Sequence, residues 1–232
     1  EICACLVGSE MCIRDRMQED SGLKEYLDRT RFINKDGEVC EFTDLQKHDL
    51  NLVLQKRYAL LNWQQGSGKT AAVYHRAKYL LKFRKARNVI ILAPAIATNM
   101  TWIPFLTVNK ERFRTIQTAG DLNNIPEGTF LVVSTSMLRK LKRGLMRFVK
   151  RTSGKLCLVF DESDEITNPT SQRTRNVLCI FRRLRYKILD TGTTTRNNIA
   201  ELYSQFELLY NNSVNTVSYT HLRAHETCAD LV

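Results

Sequence analysis

The segment Gly66-Ser67-Gly68-Lys69-Thr70 constrains this chain more than any other stretch. It follows a short strand-like run, Ala59–Asn62, and opens a stretch, Ala71–Phe83, whose Val73, Ala77, Leu80 and Leu81 share one side of a helix. Glycines let a backbone turn tightly around a phosphate, and successive N–H groups then point inward. The N-terminus of the following helix adds its partial positive charge. In such a turn Gly66, Ser67 and Gly68 form the cradle, Lys69 reaches the β- and γ-phosphates, and the Thr70 hydroxyl ligates Mg²⁺. The longer P-loop pattern would place another glycine at the position of Trp63, so only the shorter GxGKT form is present. By itself the string is also compatible with an ordinary loop.

A second feature narrows the choice. The apolar run Leu156–Phe160 ends in Asp161-Glu162. In a parallel sheet the C-terminal ends of the strands line one edge, where ligands bind. Asp161 there would hold Mg²⁺ through water, and Glu162 would orient or deprotonate an attacking water.

The rest of the chain fits such a sheet. Asn88–Ala93, Phe130–Val133, Leu156–Phe160 and Tyr186–Leu189 read as buried strands, and Leu138–Val149, Thr174–Leu184 and Ile199–Leu209 as helices. Leu45–Leu61 predicts a helix leading into the strand before the glycine-rich turn. Near-continuous apolar strands separated by helices predict an α/β fold, a mostly parallel sheet with helices on both faces. Ahead of it, Asn34-Lys35-Asp36-Gly37 marks a small hairpin within Phe32–Phe42.

The two ends answer one another as codons on opposite DNA strands. Asp15 as GAC complements Val217 as GTC, and the series continues without a break to Glu1 against Leu231. The strings CLVGSEMCIRDR and VSYTHLRAHET also look like translated transposon-end adapters from sequencing libraries. Residues 1–16 and 217–232 are therefore expected to be scars that were not selected to pack on this fold. Without them, residues 17–216 carry 32 basic and 19 acidic side chains, a net charge of +13. That excess suits a polyanion partner or simply a basic, soluble surface. The remaining cysteines, Cys40, Cys157 and Cys179, have no metal-ligand spacing, so neither a zinc site nor a disulfide partner is expected. No apolar run approaches a membrane span, and a cytoplasmic protein is expected (nucleoid-associated if bacterial or phage).

Gly66–Thr70, Asp161-Glu162-Ser163-Asp164 and Thr191-Gly192-Thr193 resemble motifs I, II and III of superfamily-two helicases, in the right order. The Swi/Snf branch is the nearest in pattern, through the run Thr191–Leu202 with its Asn197-Asn198 and Glu201-Leu202. Asn88–Trp102, with Ala93-Pro94, Asn99 and Trp102, resembles motif Ia. Phe130–Leu138, with Ser134-Thr135, resembles motif Ib, and Asn168 resembles the asparagine that often follows motif II. Asp164 stands where this branch usually has His, and Thr194 where it usually has Pro. Gln46 is the candidate for the glutamine that precedes motif I.

The resemblance implies a RecA-like P-loop lobe over residues 45–210, preceded by an extension over 17–44. It implies ATP and Mg²⁺ as ligands, with Glu162 and Lys69 catalytic and Thr70 and Asp161 on the metal. Asp164, Thr191, Gly192 and Thr193 would couple hydrolysis to movement. Pro94, Ser134, Thr135, Arg139 and Lys140 would face nucleic acid, duplex DNA in this branch. The basic residues from Arg139 to Lys155 are equally compatible with DNA contact and with a solvated helix face. A second lobe would supply an arginine to the transferring phosphate, so the chain is expected to hydrolyse ATP poorly by itself. A DEAD-type RNA helicase lobe and a non-catalytic nucleic-acid-binding fragment remain the alternatives. Trp102 is expected to serve the core rather than a base, and His48 and His75 to lie at the surface or in packing.

Overall fold

The computed structural model describes residues 18–34, 36–152, 155–192 and 202–210. The proposed terminal scars, Lys35 and residues 193–201, with Thr193 among them, lie outside these ranges.

Helix α1 (Ser21–Asp28) and a hairpin of β1 (Phe32–Ile33) and β2 (Val39–Cys40) come first. The hairpin turn needs Gly37, at φ +87°, and the Asn34 side chain accepts from the amides of Asp36 and Glu38. Asn109 clamps the hairpin to the main body, accepting from the Ile33 amide and donating to its carbonyl. Leu27 and Phe42 are buried in the same cluster as Leu50 and Val73, so the extension shares the main core.

Helix α2 (Asp44–Leu54) begins at a capping box in which Thr43 and Gln46 satisfy each other's amides. It leads into β3 (Tyr58–Asn62), and α3 (Lys69–Lys82) follows the glycine turn. Next come β4 (Asn88–Ala93), α4 (Ala95–Ala97), a π-helical turn at Thr98–Trp102 and α5 (Ile103–Val108). Then β5 (Phe113–Thr115), β6 (Phe130–Ser134), α6 (Leu138–Arg151), β7 (Leu156–Phe160), α7 (Gln172–Phe181), β8 (Tyr186–Thr191) and α8 (Tyr203–Leu209) complete the described chain.

Strands β3 to β8 form one sheet in the order β3-β8-β7-β4-β6-β5, and every neighbouring pair is parallel. Side chains alternate along each strand, so the sheet has two dry faces. Ala59, Leu61, Val89, Ile91, Val132 and Val159 pack towards α2, α3 and α5. Leu60, Ile90, Leu92, Val133, Leu158 and Leu189 pack towards α6, α7 and α8. This is the α/β sandwich the apolar runs predict. The sequence pattern does not reveal α1 or the edge strand β5, whose three half-buried residues offer too little periodicity to be seen.

Candidate functional site

The glycine turn sits where β3 leaves the C-terminal edge of the sheet. Gly66 (φ +79°) and Gly68 (φ +81°) hold the left-handed conformation that side chains resist. Gly68 also caps α3, and a Cβ there would stand 3.3 Å from Gln46 Nε2. Gln46 braces the loop: its Nε2 donates to the Ser67 carbonyl at 2.8 Å while its Oε1 caps α2. Lys69 Nζ donates to the Trp63 carbonyl at 3.2 Å, and the Trp63 indole donates to buried Asp49 at 2.8 Å. Thr70 lies in the first turn of α3, half-buried.

Asp161 and Glu162 follow β7 on the same edge. The Asp161 amide donates to the Leu92 carbonyl at 2.9 Å, fixing the turn to β4. Trp102 is fully buried, and its indole Nε1 donates to Asp161 Oδ2 at 2.7 Å. Burial raises the Asp161 pKa, while the indole N–H and the charge of Lys69 oppose the rise. Glu162 adopts φ +53°, ψ +56°, a strained choice for a side chain of its size. Its pKa is raised by burial first and by Asp161 next, with Lys69 opposing. The nearby Gly192 backbone also opposes the rise.

Between β3 and β7 runs β8, so its end, Asp190–Gly192, lies between the glycine turn and the acidic pair. Thr191 is fully buried and pairs in register with Asn62. Gly192 leaves room for its neighbours: a Cβ would meet Lys69 Nζ at 3.2 Å and Gln65 Cγ at 3.3 Å. Asp164 is buried in the short 3₁₀ turn after Glu162. Asp190 belongs to none of the motifs read from the sequence. It is fully buried, and neither carboxyl oxygen meets a fixed donor among the described residues. The Asp161 carboxyl is close enough to raise its pKa. Burial, and then the charge of Asp161, push that pKa well above the usual carboxylate range and favour the neutral acid. An acidic residue directly after the apolar pair Ile188-Leu189, inside the strand Tyr186–Thr191, was the available signal.

The residues expected to face nucleic acid cluster further along the edge. Ala93 pairs with Ser134, which sets half-buried Pro94 beside the end of β6. Ser134 and Ser136 share a hydroxyl–hydroxyl hydrogen bond of 2.8 Å, while Thr135 is buried. Arg139 and Lys140 are exposed on the first turn of α6. Trp102 lies in the core, and so does His75, whose ring packs against Phe32, Phe42 and Tyr74. His48 is partly exposed and pairs with Glu19.

The donor set fits a nucleotide with a hard divalent cation. A helix of full length presents its N-terminus, one lysine lies among three carboxyls, and the Thr70 hydroxyl and Asp161 offer oxygen ligands.

No protein-family profile matches the chain. It is 24% identical over 202 residues to the ATP-dependent helicase FUN30 of Saccharomyces cerevisiae, a match covering 82% of this chain and 17% of that protein. Among solved structures it resembles the Sulfolobus solfataricus SWI2/SNF2 ATPase core domain, with TM-score 0.61, 17% identity, and coverage of 80% of this chain and 38% of that one. The same core in complex with dsDNA gives TM-score 0.58, 17% identity, and coverage of 77% and 38%. The UvsW helicase of bacteriophage T4 gives TM-score 0.56, 14% identity, and coverage of 83% and 67%. The chain thus spans well under half the length of FUN30 and of the Sulfolobus core.

Proposed function

We propose that this chain, a RecA-like helicase lobe of the Swi/Snf type, is the ATP-binding half of a DNA-dependent translocase. The observation that carries the reading is the convergence of three strand ends. The phosphate loop after β3, Asp190–Gly192 at the end of β8, and Asp161-Glu162 after β7 lie on adjacent strands of one sheet edge. Each brings a different function to the same few ångströms.

In this reading the triphosphate lies in the cradle of Gly66, Ser67 and Gly68, against the N-terminus of α3. Lys69 leaves the Trp63 carbonyl for the phosphates. Thr70 and Asp161 would hold Mg²⁺, which when bound neutralises phosphate charge. Glu162 orients water towards the phosphate, and its raised pKa makes it a stronger base. Gly192, beside Glu162 and against Lys69, makes the end of β8 sense the occupancy of both. Asp164, Thr191 and Thr193 belong to the same coupling segment. Pro94, Ser134, Arg139 and Lys140 face duplex DNA, and Thr135 acts from beneath them. A second lobe would contribute the arginine that stabilises the transferring phosphate, so the isolated chain binds ATP–Mg weakly and turns it over slowly.

The test is a titration of a fluorescent ATP analogue with and without Mg²⁺. Mg²⁺-dependent binding that Lys69→Ala abolishes is the expected result. Binding unchanged by Lys69→Ala would remove the phosphate-loop assignment, and strong DNA-stimulated hydrolysis by this chain alone would remove the need for a second lobe.

A further inference from the structure

Trp102 is the largest fully buried side chain of the protein, and its one polar atom points at the acidic pair. The placement is specific. Trp102 ends the π-helical turn Thr98–Trp102, in which the Ile103 amide reaches back to the Thr98 carbonyl. A π-turn inserts an extra residue and rotates the helix beyond it, and such turns recur where a side chain must be re-aimed. Ile96, before the turn, and Met100, within it, face solvent; after it, Phe105 and Leu106 enter the core. The indole is thereby carried under the sheet edge to Asp161, whose backbone is already fixed to β4 through the Leu92 carbonyl.

We infer that Trp102 is a positioning residue for the nucleotide-bound cation: its indole N–H holds Asp161 Oδ2 and thereby presents the other carboxylate oxygen to the Mg²⁺ hydration shell. This rests on the nucleotide reading above. A bond from a buried donor to a carboxylate is stronger than a neutral one, and it fixes both the rotamer and the free lone pairs. Without it, Asp161 keeps its place on the backbone and loses the donor that fixes Oδ2. Trp102 itself touches neither nucleotide nor cation. It also continues directly from the Pro94–Met100 segment, so the carboxylate orientation is tied to the part of the edge assigned to nucleic acid.

The test separates the N–H from the packing. Trp102→Phe removes the donor and part of the ring. Replacement of Trp102 by 3-benzothienylalanine, through site-specific incorporation, removes the donor at almost constant shape. Binding of a fluorescent ATP analogue is measured in EDTA and across a Mg²⁺ series, and Mn²⁺ binding to the nucleotide complex is followed by electron paramagnetic resonance. The expected result for both variants is about a tenfold rise in the Mg²⁺ and Mn²⁺ concentrations required, with metal-free nucleotide binding changed less than about twofold. Should the Phe variant fail to fold, the benzothienyl variant decides alone. Equal losses with and without metal would mark Trp102 as packing only, and an unchanged metal requirement would show the indole bond to be idle; either overturns the inference. A wild-type chain with no Mg²⁺-dependent nucleotide binding would instead overturn the nucleotide reading, and the inference with it.

Discussion

A Cβ on Gly192 would stand 3.2 Å from the ammonium of Lys69, so the end of β8 and the first lysine of α3 share one space. The atom in the way is the tip of a flexible side chain, and the Gly192 backbone is not in the left-handed region. Gly192→Ala should therefore fold normally and displace the ammonium by a few tenths of an ångström. We expect nucleotide affinity to fall about three- to tenfold, as a misplaced charge-assisted contact would allow, with a melting temperature within about 2 °C of wild type. Calorimetric titration with ATP–Mg beside thermal melts checks both. An unchanged affinity would show that Lys69 has a second route to the phosphates.

Asp190 predicts a stability effect with a definite sign. Its folded pKa lies well above the ordinary value, because burial and then Asp161 disfavour its charge. Between the unfolded and the folded pKa, the folded chain holds a proton that the unfolded chain has released. The stability linked to this group is present below about pH 4 and is lost as pH rises through the folded pKa. Asp190→Asn keeps the shape and offers Asp161 an N–H donor. It should raise the melting temperature at pH 7.5, and the gain should shrink towards zero near pH 4. A gain independent of pH would mean that Asp190 is not protonated in the folded chain.

His75 works in the opposite direction. Burial, and then Lys78, lower its pKa to about 3, and its Nε2 has no partner among the described residues. The folded chain holds it neutral while the unfolded chain protonates near pH 6.5. Stability is therefore lost as pH falls from about 6.5 towards 3, by on the order of a few kcal/mol in total. His75→Phe, among Phe32, Phe42 and Tyr74, removes this linkage. The drop in melting temperature between pH 7.5 and pH 5 should be smaller in the variant than in wild type. Comparing the two pH values within each protein cancels any cost of fitting the larger ring. Equal drops would show that His75 titrates in the folded chain as it does in water.

The glycine turn, the acidic pair and the end of β8 were legible as neighbours on one edge because each is a short run of chemically unusual residues at the end of an apolar strand. The sheet was legible because buried parallel strands are continuous in Val, Ile and Leu, as in Asn88–Ala93 and Leu156–Phe160. What escaped depends on contacts between distant residues. The indole of Trp102 reaches Asp161 only through a π-turn that no periodicity announces. Gln46 reads as the candidate for the glutamine that precedes motif I, and only the fold shows its amide capping α2 and bracing Ser67. Asp190 lies in a strand whose pattern required an apolar residue, and its meaning comes from the neighbour across the sheet. Strand β5 has three residues on an edge, too few to leave a pattern.

Helix α6 offers the last test. Leu138, Leu141, Leu145 and Phe148 bury one side, and Arg139, Lys140, Arg143, Arg147 and Lys150 are exposed on the other. The helix carries no acidic residue, and none of these five joins an ion pair among the described residues. Elsewhere exposed arginines do find carboxylates, as Arg31 finds Glu41. A solvated face and a phosphate-binding face differ in their salt response. Removing one phosphate-binding cation lowers the slope of log binding constant against log salt by about 0.9 for duplex DNA. Arg139→Ala with Lys140→Ala should therefore weaken duplex binding at low salt, flatten that slope by the equivalent of roughly two phosphates, and leave the melting temperature unchanged. A slope equal to that of wild type would make this turn of α6 a plain solvated surface and confine the DNA to the Pro94 and Ser134 edge.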